Sequence, residues 1–280
     1  MSSTTDFQSG GGIKGPLQLV ALCLRRGELL REMTKRELQA GHAGHGLGGK
    51  WIYIHPLVVV GSYLLILGFV LGSRIAVSGS FPGDYPSYIL VGLVPWLVTQ
   101  SVLIRGAGAL LGQAGLVKQV VFPIEIIPTA ITVSIFLTFL PAFSLVLVYK
   151  LFLGGGIPST IILLPFVLVI HFTLVLGLGF LLAAITVFMR DVKELVNVFC
   201  VVAMYFTPAI YLPDWVPKLL RPLIYMNPFS YITWIYQDTL FFGEIRHPFA
   251  WGVSTVMAIA AIYGGTAIFR RLKPYYGNVL

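Results

Sequence analysis

Residues 88–153 read YILVGLVPWLVTQSVLIRGAGALLGQAGLVKQVVFPIEIIPTAITVSIFLTFLPAFSLVLVYKLFL. Two long apolar runs, 88–111 and 130–153, flank a short polar interruption. Each run reaches the roughly 20 residues a helix needs to cross hydrocarbon. Four more runs read the same way, at 54–73, 160–188, 195–212 and 250–269. The 280 residues are 57% hydrophobic and only 11% charged, against about 25% charged in soluble domains. The fold class expected is an all-α membrane protein with six transmembrane helices per subunit.

The basic residues set the orientation. An even number of spans puts both ends of the chain on one side. Fourteen of the 19 Lys and Arg fall on that side and five on the other. The excess of positive charge marks the cytoplasm, so both termini are expected there. The net charge of +8 follows this topology and is not gathered into a basic domain, so no nucleic-acid partner is expected. Cys23 and Cys200 lie far apart, one before the first span and one inside an apolar run, which does not make a disulfide framework.

Three units follow from this pattern. Residues 1–16 lack an apolar core with a cleavage site and are expected to be a disordered tail rather than a secretory signal. Residues 17–50 read as a cytoplasmic interfacial helix and turn. Leu19, Leu22, Leu29, Leu30 and Met33 share one face there, while eight charges between Arg25 and Glu37 exclude the segment from hydrocarbon. His42 and His45 sit among glycines with no third ligand near, so no metal site is expected. Residues 51–280 form the six-span domain, with Trp51 and Tyr53 at its first interface.

The interruption at Gly112–Pro128, GQAGLVKQVVFPIEIIP, is the most structured of the cytoplasmic connections. Leu116, Val120 and Ile124 recur at i+4, which predicts a short amphipathic helix along the membrane surface. Gly112, Gly115, Pro123 and Pro128 mark its limits. Between the fifth and sixth runs, residues 213–249 are rich in Trp, Tyr and Phe and broken by Pro213, Pro217, Pro222 and Pro228. Two short re-entrant helices fit this better than a solvated loop, and such backbone needs a cover of protein or a water-filled cavity.

The chemistry missing from the sequence narrows the function. No G-x-x-x-x-G-K-[ST] loop is present, nor an H-E-x-x-H or nucleophile-elbow motif. All eleven acidic residues fall outside the six apolar runs, unlike the usual arrangement in ion-coupled carriers. Arg105, at the end of the second run, either faces a polar passage or snorkels to the interface. Asp191, in Arg190-Asp191-Val192-Lys193-Glu194, is expected to cap the fifth helix. A chain that moves a substrate without such groups takes its energy from a partner, and the 112–128 segment is where that partner is expected to couple.

Six stretches now carry a resemblance: Pro95-Trp96; LVKQVVFPIEIIP at 116–128; VFMRDV at 187–192; YFTPAIY at 205–211; MNPF at 226–229; and FRRLKP at 269–274. In this order on a six-span chain they resemble the permease subunit of bacterial polysaccharide exporters of the ABC type-2 class. Ile124 and Gln119 depart from the basic residues common in that family, which shifts the partner contact toward apolar packing. The resemblance implies a homodimer in the bacterial cytoplasmic (inner) membrane, joined to two copies of an ATP-binding subunit. It also implies no catalytic residues, metal or cofactor in this chain, with ATP and Mg held by the partner. A lipid-linked polysaccharide of O-antigen, capsule, teichoic acid or galactan type would pass between the halves. Leu116, Val117, Val121 and Phe122 would pack against the partner near Pro123, with Lys118 and Glu125 as polar contacts. Tyr63, Phe69, Tyr205, Phe206 and Tyr211, with Arg105, are the candidate passage wall. Trp215, Tyr225 and Trp234 are the candidate outer mouth. Two alternatives stay open: a drug or small-lipid exporter of the same build, and a membrane enzyme acting on lipid-linked sugars through Asp214 and Asp238.

Overall fold

A computed structural model describes residues 14–40, 48–71, 84–119 and 122–280, and they are helical almost throughout. Helices α1 (Lys14–Arg25) and α2 (Gly27–Ala40) come first, separated by a turn at Arg26. The predicted interfacial segment is thus two helices. On α1, Leu19 is buried while Leu17, Val20 and Leu24 are exposed. These last three repeat at i, i+3 and i+7, an apolar stripe left over after α1 has packed on the last long helix. Such a stripe suits a helix lying in a membrane interface.

Helix α3 (Trp51–Tyr63) runs on without a break into a π-helical stretch, Leu64–Leu71. Helix α4 (Tyr85–Ala107) opens on a cap: the Asp84 carboxylate accepts from the Ser87 N–H at 3.0 Å, satisfying one of the orphan donors of a helix start. It is the central helix, with 78% of its apolar window buried against 33–39% in the other three long helices. Helices α6 (Ile126–Phe152), α7 (Leu164–Thr186) and α11 (Pro248–Leu272) pack around it or against each other.

Close packing of α7 on α11 has a specific cause. Gly177 and Gly265 have no side chains, and a Cβ on either would collide with the facing backbone, at Ala261 and Ile262 in one case and Gly177 in the other. Ala261 and Gly265 form a small-xxx-small pair, which lets two membrane helices approach and gain dispersion contacts. Gly92 plays the same part on α4, where a Cβ would come within 2.8 Å of Ala209 Cα.

Among the described residues, four helical stretches are long and apolar enough to cross a membrane: Tyr85–Ala107, Ile126–Phe152, Ser159–Thr186 and Pro248–Val279. They match the predicted runs 88–111, 130–153, 160–188 and 250–269. The other two runs give shorter helices. The apolar part of the first is Trp51–Leu67. The fifth, α8 (Asp191–Tyr205), has 15 residues, which span about 22 Å of the roughly 30 Å hydrocarbon core. It stops where Pro208 removes a donor and disfavours helix in the residue before it. Asp191 is its first helical residue and makes no side-chain cap. With Glu194 it favours the helix through the N-terminal dipole instead.

After α8 the chain forms two short helices, α9 (Arg221–Met226) and α10 (Pro228–Gln237), then a π-helical turn Asp238–Phe242. From Ile232 to Gln237 every residue of α10 is buried, so this region is interior structure. Asp238, fully buried, accepts from the His247 N–H at 3.0 Å and the Trp251 indole at 3.1 Å, and pairs with His247 Nδ1 at 2.7 Å. Gly243 makes the reversal into α11 at φ 71°, a conformation open to glycine.

The segment predicted as one helix over 112–128 is divided. Helix α5 (Ala114–Gln119) is six residues long, and Val120 and Val121 lie outside the described residues. Pro123 interrupts the helical path, Ile124 and Glu125 form a turn, and Ile126 starts α6. Pro128 therefore sits in the first turn of α6, where its missing N–H costs nothing.

Candidate passage wall and coupling face

The structure gathers the predicted functional residues at two places. At the far end of α8, Tyr205, Phe206, Tyr211 and Trp215 line one hollow of about 330 Å³, backed by Val216 and Ile224. The Tyr211 hydroxyl donates to the Tyr205 carbonyl at 2.7 Å, which fixes the loop that carries both rings. Trp215 lies 6.1 Å from Tyr85, centroid to centroid. Tyr63 reaches the same region from α3, its hydroxyl 3.7 Å from Met204 Sδ on α8. The side chain of Phe69 lies outside those described.

Two of the expected mouth residues, Tyr225 and Trp234, lie ring to ring at 5.3 Å between centroids but differ in burial. Tyr225 is exposed, but Trp234 is 3% exposed and stacks flat on His247, 5.3 Å between centroids. The Trp234 ring belongs to the packing of α10 against the start of α11. Its apolar surface had two uses open to it, and interior burial won. Arg105 does not point into the bundle. Its guanidinium donates to Glu37 Oε2 on α2 at 2.8 Å, and Gln113 donates to the other oxygen at 3.0 Å. Glu37 thereby ties α2 to both ends of the turn after α4.

At the end of the bundle that carries α5, three segments meet. Leu116 and Val117 are half-buried on the core, Lys118 is exposed, and Phe122 and Pro123 are half-buried. Val121 lies outside the described residues. The last helix, α12 (Tyr276–Val279), rests on α5. Phe188, in the turn between α7 and α8, places its ring 6.1 Å from that of Tyr276. Glu125, expected as an outward polar contact, faces inward instead. It is 3% exposed, and Lys273 donates to its Oε1 at 2.7 Å. Tyr276 is also buried, and its hydroxyl donates to the Phe269 carbonyl at 3.0 Å, which pins α12 back on the end of α11.

His171, in the middle of α7, is a fully buried ionisable group that a count of acidic residues does not include. Thr99 spends its hydroxyl proton on the Pro95 carbonyl at 3.0 Å. It must then accept from His171 Nε2 at 2.9 Å, which leaves Nδ1 to accept from the Tyr236 hydroxyl at 3.0 Å. The ring is thus a neutral clasp joining α4, α7 and α10. A polar residue amid a long apolar run was the available signal.

The sequence profile of the ABC-2 type transporter family matches residues 28–241. The chain is 30% identical over 236 residues to the O-antigen export system permease protein RfbA of Myxococcus xanthus, covering 84% of this chain and 86% of that protein. It is 23% identical over 255 residues to the O-antigen export system permease protein RfbA of Klebsiella pneumoniae, covering 90% and 95%. With a helical bundle of this kind, and with a profile match that takes in α4, α5 and the short helices α9 and α10, the chain belongs to the ABC-2 type transporter family.

Proposed function

We propose that this chain is the transmembrane subunit of an ATP-driven exporter that moves a lipid-linked polysaccharide of O-antigen type across the bacterial cytoplasmic membrane. The observation that carries the reading is its likeness, along nearly the full length of both chains, to an O-antigen export permease. A separate nucleotide-binding subunit supplies the energy, in two copies on a homodimer of this chain. Helices α3 and α8 complete a set of six membrane-entering helices, with both termini in the cytoplasm. The exposed apolar residues Leu195, Val198 and Val202 of α8 support a face that meets the second copy or the passage.

Four steps follow. ATP closes the partner dimer. The exposed Lys118 and the half-buried Leu116, Val117 and Phe122 receive that movement. Glu125, clamped by Lys273, passes it to the start of α6 and to the end of α11. The halves shift, and sugar rings advance past Tyr205, Phe206, Tyr211 and Trp215, whose faces stack on C–H groups while hydroxyls stay wet.

The test is deletion of the chain in its own cell. Lipid-linked glycan should accumulate on the cytoplasmic side and return to the surface on complementation. Loss of the glycan without accumulation contradicts the reading and favours an enzyme. An unchanged surface glycan favours export of a drug or small lipid.

A further inference from the structure

A second concave site lies at the same end of the bundle as α2, apart from the aromatic hollow. It is a cleft of about 370 Å³ between α3, α4 and α6. Each helix lends a face at helical spacing: Ile52, His55, Pro56 and Val59; Leu97, Gln100, Ser101 and Ile104; Ile135, Thr138 and Phe139. Arg105 stands at its rim.

The polar groups of this cleft are unevenly satisfied. Ser101 and Thr138 donate to the Leu97 and Ser134 carbonyls at 2.7 and 2.8 Å, so their hydroxyls offer only lone pairs. The Gln100 amide and the His55 ring make no hydrogen bond among the described residues. Arg105 uses Nη2 on Glu37, and its Nη1 and Nε make none among them. A guanidinium, an amide and an imidazole therefore line one cleft whose walls are otherwise mostly apolar. His55 and Arg105 are exposed and Gln100 half-buried, so these groups are open to a ligand, and an apolar pocket with a few polar groups is the usual form of a ligand site. The carboxylate beside the rim, Glu37, already occupies one edge of the guanidinium, which shows the chemistry that this position accepts.

We infer that the cleft binds the phosphate of an amphipathic lipid, with Arg105 and Gln100 on the phosphate and the hydrocarbon laid along Val59, Leu97, Ile135 and Phe139. Guanidinium recognises phosphate through paired, charge-assisted hydrogen bonds. The depth fits. Arg105 is in the last turn of α4, beside the interfacial helix α2, and the apolar floor runs from there toward the middle of the bundle. The same chemistry has two sources, a phospholipid of the bilayer and a prenyl phosphate carrier. The site requires only that the chain sits in a membrane, and it does not depend on the export reading.

The test is native mass spectrometry of the full-length chain, delipidated in a non-ionic detergent. It is titrated with phosphatidylglycerol, with geranylgeranyl diphosphate and with neutral diacylglycerol. The phosphate lipids should bind about tenfold or more tighter than diacylglycerol, and Arg105→Gln should abolish that margin, the scale of one charge-assisted hydrogen bond. Gln100→Leu, which leaves the Arg105–Glu37 pair alone, should weaken binding several-fold. Glu37→Gln frees the guanidinium and should leave binding equal or tighter. A preference for phosphatidylglycerol assigns the site to bilayer lipid, and a preference for the diphosphate assigns it to the prenyl carrier. The inference is overturned if diacylglycerol binds as well as either phosphate lipid, if neither binds, if Arg105→Gln changes nothing, or if Glu37→Gln weakens binding as much as Arg105→Gln. The assay needs neither ATP nor transport, so its failure leaves the export reading untouched.

Discussion

Lys273 sets its ammonium 2.7 Å from Glu125 Oε1, joining the end of the last long helix to the turn that starts α6. The two partners are unequally placed: Glu125 is 3% exposed and Lys273 38%. Removing the lysine strands a buried carboxylate, whereas neutralising the glutamate leaves a lysine that can turn to water. Lys273→Met should therefore cost about 3 kcal/mol, and Glu125→Gln only about 1 kcal/mol. Chemical unfolding in detergent measures both. In the complex, both variants should lower export per ATP hydrolysed, since each loosens the clamp.

Gly177 and Gly265 should be intolerant of side chains. Gly265→Leu or Gly177→Val forces α7 and α11 apart and should cost upward of about 3 kcal/mol, beyond ordinary overpacking, because the obstacle is backbone. Gly264→Ala is the control, since its Cβ would meet nothing within 4 Å. Melting temperature and yield of monodisperse protein separate the two outcomes.

His171→Leu leaves the Thr99 and Tyr236 oxygens with one partner fewer in the interior and should destabilise by about 1–3 kcal/mol. Tyr236→Phe should cost about 1 kcal/mol, and the double variant less than the sum, since the groups share one network. Because the ring acts as a neutral clasp, the pH 6–8 profile of transport per folded molecule should be the same in His171→Leu as in the unaltered chain. A proton-carrying histidine would make the two profiles differ.

How much of this was legible follows from range. The long spans were readable because 23 to 27 residues of apolar helix leave a signal that no local feature overrides. Residues 195–212 carried the same apolar signal, yet Pro208 ended the helix at Tyr205. The 112–128 segment had the right i+4 row, but Pro123 divided it, and Ile124 went into the core at 6% exposure. Glu125 could be read as polar and no more, because its partner lies 148 positions away in sequence. The same holds for Arg105, whose two proposed fates left out Glu37. Trp234 shows the limit for aromatics: its ring fits a mouth or a core equally well by sequence, and only the burial of α10 decides between them.

The exposed face of α5 should matter to coupling and not to folding. Lys118→Glu should leave the unfolding free energy within about 0.5 kcal/mol, as for other surface changes. It should weaken capture of the nucleotide-binding subunit on affinity purification. Phe122→Ala should do the same at a larger cost in stability, since Phe122 also packs on the core.

The most direct measurement is transport of the lipid-linked glycan into proteoliposomes that contain this chain, with and without its nucleotide-binding partner, in the presence of ATP. Uptake is expected only when both proteins are present and ATP is hydrolysed. Uptake by this chain alone would contradict that dependence.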